Sequence, residues 1–171
     1  MATTTIKVED ARVQNALASL VAAITAPGKA LDEIGAVVTE NVRLGFDESE
    51  DPYGRPWKAV LRDGGQPLRD TGNLANSFSY QVRGNAVAVG SGLTVSHNGR
   101  SHNLADIHQF GRTIVPVNAK ALRFQVNGQF VTAQQVTIPP RKMLPEGGWP
   151  DEWAEDVAAI VDDYLSEAIG P

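Results

Sequence analysis

The hydrophobic period of this 171-residue chain changes twice, and those changes restrict it to a mixed architecture. Val13, Leu17, Leu20, Val21 and Ile24 recur at spacings of three and four, which predicts an amphipathic helix from about Ala11 to Ala26, closed by Pro27-Gly28. Leu31, Ile34, Val38, Val42 and Phe46 carry the same period on from Lys29, so a second helix follows and packs on the same surface. At Phe78 the period falls to two. Phe78, Tyr80 and Val82 lead through Arg83-Gly84-Asn85 into Ala86, Val87, Ala88 and Val89, two strands joined by a tight turn. Leu122, Phe124 and Val126 alternate ahead of Asn127-Gly128 and then Gln129-Phe130-Val131-Thr132, a β-hairpin with the strongest short turn signal in the chain. The helical period returns after Trp149-Pro150-Asp151, with Trp153, Val157, Ile160, Val161, Tyr164 and Leu165 on its core face. Thr3-Thr4-Thr5-Ile6-Lys7-Val8 reads as a first short strand, with Asp10 as a cap for the helix behind it.

The expected fold is therefore one α+β domain over residues 1–171, in which an antiparallel sheet of about four strands packs against two N-terminal helices and one C-terminal helix, with long loops. Its parts are a helical segment at 1–46, a sheet and loop segment at 47–145 and an acidic helix at 146–171. That length can bury a core without staples. The absence of cysteine excludes disulfides, thiolate metal sites and a thiol nucleophile. Leu20-Val21-Ala22-Ala23-Ile24 is too short to cross a bilayer and follows acidic residues, so a soluble protein without membrane attachment or targeting leader is expected. Charge is segregated: the net values are −5 for residues 1–51, +8 for 52–145 and −8 for 146–171. Two electrostatic faces of opposite sign would let one copy meet another, although solvated acidic helices account for the ends equally well.

Several short motifs invite chemistry. Leu104-Ala105-Asp106-Ile107-His108-Gln109-Phe110-Gly111-Arg112 sets Leu104, Ile107 and Phe110 on one core-facing side of a short helix, flanked by Asp106 and Gln109 and stopped by Gly111. His97 and His102 sit in a polar, turn-rich stretch expected as a mobile surface loop; with His108 and Asp106 they could hold a hydrolytic zinc, but spacings of five and six match no metal signature. Asp47-Glu48-Ser49-Glu50-Asp51 lacks the alternation, central glycine and terminal glutamate of a calcium loop and closes on Pro52, so it reads as a loop anchored by Phe46 and Trp57. Asp70-Thr71-Gly72 is the aspartic protease triplet, yet Arg69 precedes it and no apolar strand leads in. Asp70 or Thr71 is expected instead to cap a short helix containing Leu74 and Phe78. Gly90, Gly92 and Gly99 form no dinucleotide fingerprint. Val136 and Ile138 run into Pro139-Pro140, an extended segment after which Arg141 and Lys142 stand as exposed charges.

Taken in order, Phe46, Pro52-Tyr53-Gly54-Arg55-Pro56-Trp57, Leu68-Arg69-Asp70-Thr71-Gly72-Asn73-Leu74, Gly90-Ser91, Ile107-His108-Gln109-Phe110-Gly111 and Ile138-Pro139-Pro140-Arg141-Lys142-Met143-Leu144 are similar to the phage virion morphogenesis family, the tail-completion proteins of Mu-like and P2-like tailed phages. The resemblance covers roughly residues 46–144. The chain departs from the family pattern at Asn103-Leu104-Ala105-Asp106 and at Lys142-Met143.

The resemblance implies a structural virion protein, without enzymatic activity, cofactor or metal, that completes or terminates the tail and forms the head–tail joining surface at the neck. Such proteins assemble as rings, commonly of six copies, between the tail tube protein and the head-tail connector proteins. DNA passes through the lumen without specific binding, so the lumen should be neutral or negative. The +8 and −8 segments would then pair between copies, with Asp156 and Asp163 among the acids involved. In this role Trp57 and Phe110 anchor loops in the core, and Gly72 and Gly111 supply turns. Asp70, His108 and Gln109 hold the fold or an interface, while Pro139, Pro140 and Arg141 stiffen an arm able to reach a neighbour. The alternatives are a head-side connector or stopper subunit and a metal-dependent hydrolase using His97, His102 and His108.

Overall fold

The structure, a computed structural model, describes residues 11–97 and 99–170. The expected strand at 3–8 and the Asp10 cap lie outside them. The α+β class holds, and the order is α1 (Ala11–Thr25), α2 (Gly28–Glu48), α3 (Asn73–Asn76), β1 (Phe78–Arg83), β2 (Ala86–Ser91), β3 (Thr94–His97), β4 (Arg100–Asn103), α4 (Leu104–Phe110), β5 (Arg112–Ile114), β6 (Leu122–Val126), β7 (Gln129–Ala133), β8 (Val136–Ile138) and α5 (Asp151–Ile169). Among the described residues all pairing is antiparallel, but the strands divide into four two-stranded ribbons, β1–β2, β3–β4, β5–β8 and β6–β7, not one shared sheet.

The amphipathic period of α2 organises the core. Ile34, Val38, Val42 and Phe46 fall on one side and are buried with Trp57, Leu74, Phe78, Met143 and Trp153. Phe46 and Phe78 are the largest fully buried side chains, and Phe46 meets Trp57 edge to face at 5.4 Å and Phe78 at 5.7 Å between ring centroids. The α2 helix accepts the β1–β2 ribbon so closely that a Cβ on Gly35 would come within 2.3 Å of the Tyr80 ring. At the far end of α2, Ser49 takes the left-handed conformation and returns its backbone N–H to Gly45, which ends the helix.

The two strongest turn signals act as read. β1 and β2 pair from Phe78↔Ser91 to Arg83↔Ala86, and β6 and β7 close through Asn127 (φ 51°) and Gly128 (φ 76°), the left-handed pair of a tight hairpin. The stretch expected as a mobile loop is instead the β3–β4 ribbon, with Val95 opposite His102. Phe78 opens β1 and does not belong to α3, which has Gly72 as its N-cap; the Thr71 hydroxyl accepts the backbone N–H of Asn73 at 3.4 Å at the start of the helix, while Asp70 pairs with Arg62.

The helices at the two ends pack together. α5 lies on α1 and α2, not on the sheet as expected. Tyr164 binds the carbonyls of Ala23 and Ala26 through its hydroxyl, and Lys29 meets Glu167 at 2.6 Å. The apolar row of α1 departs from expectation: Val13, Leu17, Val21 and Ile24 are 53–63% exposed, and only Ala23 is buried. Among the described residues, α1 packs on α5 with Ala16 and Leu20 half-buried and Ala23 buried, and leaves Val13, Leu17, Val21 and Ile24 in solvent.

Candidate functional site

Three of the sequence blocks meet at one place, the strap of chain from Ile138 to Glu146. The strap crosses α4, and Gln109 receives it. Gln109 is buried; its Oε1 accepts from the backbone N–H of Met143 at 2.8 Å and of Leu144 at 3.1 Å, while its Nε2 donates to Leu144 O at 2.8 Å and to Glu146 Oε1 at 3.3 Å. A primary amide is the one neutral side chain group that supplies acceptor and paired donor in this fork, so it satisfies a strap that has no strand partner there.

Arg141 secures the other edge. Its backbone N–H donates to His108 O at 2.7 Å, and its guanidinium donates to the carbonyls of Lys58 at 3.0 Å and Ala59 at 3.4 Å. Arg141 is buried, which overturns its expected place as an exposed charge on an outward arm; burial also pushes its pKa down. Two backbone carbonyls aimed at one guanidinium explain how the charge is tolerated inside the fold. Lys142 does stay at the surface, paired with Glu146 at 2.8 Å, which raises the pKa of the lysine and lowers that of the acid through their shared hydrogen bond.

The loop from 49 to 58 completes the clasp; Asp47 and Glu48, expected in it, form the last turn of α2. Trp57 is buried and donates Nε1–H to Lys142 O at 2.9 Å, and the Tyr53 hydroxyl accepts from the backbone N–H of Glu146 at 3.2 Å. The loop shapes itself locally. Asp51 Oδ1 accepts from the N–H groups of Tyr53 and Arg55, and Gln66 bridges the carbonyls of Phe46 and Asp47. Asp51 is thereby engaged in a turn, in keeping with a structural reading of this acidic run.

Gly111 makes the crossing possible. It has φ 69°, and a Cβ there would meet Ile138 O and Pro140 N at 2.9 Å each, because Pro139 and Pro140 pass directly over it. Gly111→Ala is expected to cost about 2 kcal/mol, through left-handed strain and the displaced strap, read as a lower urea midpoint with an unchanged m-value. Asn103 starts α4 by accepting from the N–H groups of Ala105 and Asp106 and donating to Ser91 O at 2.6 Å. Phe110 corrects a sequence expectation. Ala105 and Gln109, one turn apart, form the buried side of α4, and Phe110 is 67% exposed.

Behind the strap lies a cavity of about 470 Å³ lined by Leu68, Asp70, Thr71, Leu104, His108 and Arg141, so the Asp-Thr-Gly block joins the same region. The Nδ1 of His108 is buried without a hydrogen-bond partner among the described residues, and burial, helped by the Arg141 charge, lowers the pKa of His108 below 6.5. A lowered folded-state value means the unfolded chain takes up the proton first as pH falls. His108 therefore contributes a loss of stability as pH drops below about 6.5, ending once pH passes its folded pKa. His108→Gln should flatten that part of a stability–pH curve measured by urea denaturation, and an unchanged slope would contradict this assignment.

His102 lies apart from this cavity, hydrogen-bonded through Nδ1 to Arg112 at 3.3 Å and lining a different groove, while the His97 side chain is outside what the structure describes. Among the described residues, no three His, Asp or Glu side chains gather as a metal site. No helix among them is long and apolar enough to cross a membrane.

The fold and its marked residues define a mixed α+β domain in which the conspicuous side chains tie chain segments together. This chain belongs to the phage virion morphogenesis family, whose model matches residues 8–166, and its role is in building the phage particle. Comparison with curated proteins and with solved structures gives no match.

Proposed function

We propose that this protein completes the phage tail at the neck, as a non-catalytic ring of six copies that caps the tube and offers the docking surface for the filled head. Its partners on this reading are further copies of itself, the tail tube protein and the head-side connector proteins, with DNA passing through the lumen unbound. Family membership gives the setting, and the observation that carries the ring is the apolar row of α1. Four large aliphatic side chains, Val13, Leu17, Val21 and Ile24, lie exposed along one helix, and Phe110, Val117 and Phe130 are exposed elsewhere. Soluble monomers seldom leave such rows uncovered, whereas assembly subunits cover them on joining.

A nonsense mutation in the gene tests the placement. Tail completion predicts filled heads and unjoined tails in the lysate, with infectivity restored by adding the purified protein to the tails. Rescue only when the protein is added to heads would move it to the connector side and overturn the tail assignment.

A further inference from the structure

The groove beside α4 has the chemistry to receive α5. It measures about 710 Å³ and is lined by Val95, Ile107, Ile114 and Val115 together with Arg100 and Arg112; among the described residues His102 is the other titratable group, and no acidic side chain lines it. Arg100 and Arg112 are exposed. An apolar floor under two arginines suits an amphipathic element with an acidic edge.

The α5 helix has that form on its free side. Val161 and Leu165, with Trp149 just ahead of the helix, line a shallow apolar surface with Asp162 beside them; Val161, expected on the core face, is exposed, whereas Val157 is half-buried against the core. Glu155 lies seven residues before Asp162, on the same edge of the helix, and both are exposed. Asp156, by contrast, already accepts a hydrogen bond from Asn41 of α2 at 3.0 Å and is committed within the chain.

We propose that α5 of one copy docks in the Arg100–Arg112 groove of the next, with Val161 and Leu165 on the apolar floor and Glu155 and Asp162 against the two arginines. This rests on the ring reading and names its contact. The two surfaces belong to different elements, so each copy offers its helix to one neighbour and its groove to the other, the head-to-tail connectivity that closes a ring.

Charge reversal tests it on the full chain, by sedimentation velocity at low and moderate salt. Arg100→Glu with Arg112→Glu, or Glu155→Lys with Asp162→Lys, should each weaken self-association about tenfold or more, with circular dichroism unchanged. Mixing the two variants should restore the oligomer, because each then meets a complementary neighbour. An oligomer of wild-type size from both unmixed variants would overturn this contact and leave the ring standing. A wild-type chain that stays monomeric, alone and with tail tubes, would overturn ring and contact together. A groove reversal that abolishes assembly while the α5 reversal leaves it intact would mean that the groove meets a different surface of the neighbouring copy and overturn the pairing.

Discussion

Replacing Gln109 with leucine is expected to lower stability by about 3 kcal/mol, although the substitution adds apolar surface and nearly conserves volume. The reason is what remains behind. The backbone N–H groups of Met143 and Leu144 and the Leu144 carbonyl would lose their partner at a site where Met143 is buried, and each unpaired group costs about 1–3 kcal/mol. Asparagine should not rescue, since it keeps the amide but falls one methylene short of the strap. Thermal unfolding followed by circular dichroism should show a midpoint roughly 10 °C lower for a domain of this size. A leucine variant within about 0.5 kcal/mol of wild type, the range of ordinary surface substitutions, would mean that the strap is held elsewhere.

The second large effect falls on the core itself. Phe46→Ala should cost about 4 kcal/mol, because Phe46 is fully buried and its ring touches both Trp57 and Phe78. Since Trp57 also binds the strap through Lys142 O, the cavity opened by alanine lies next to the clasp. Phe46→Leu, which refills most of the volume, should recover more than half of the loss. Equilibrium urea unfolding of the two variants checks the order; equal losses would indicate that the aromatic contacts, not volume, dominate this site.

These effects bear on what a sequence alone can reveal. The α2 and α5 helices were legible because each repeats its apolar residues over several turns, and the β6–β7 hairpin because Asn127-Gly128 accepts the positive φ values that its turn requires. The β3–β4 ribbon was hidden by its polar composition, and the β5–β8 pairing by the long chain between its strands. Periodicity likewise marks α1 as amphipathic without saying what covers it, and no segment of the described chain covers Val13, Leu17, Val21 and Ile24.

At the clasp, local pattern failed in two opposite ways. Phe110 reads as core by type and spacing, yet the strap crosses the Ala105–Gln109 side of α4 and takes its hydrogen bonds there, so Gln109 occupies the interior and Phe110 faces solvent. Arg141 reads as surface charge, yet the carbonyls of Lys58 and Ala59, more than eighty residues earlier, converge on it. Both outcomes depend on contacts far apart in the chain. The order of the Trp57, Gln109 and Pro139-Pro140-Arg141 blocks was visible, but only the fold places them together.

Negative-stain electron microscopy of the purified protein, alone and mixed with isolated tail tubes, tests tail completion most directly. Rings of six copies, or caps confined to one end of the tubes, are the predicted result. Monomers that bind neither end of the tubes at any salt concentration would contradict it.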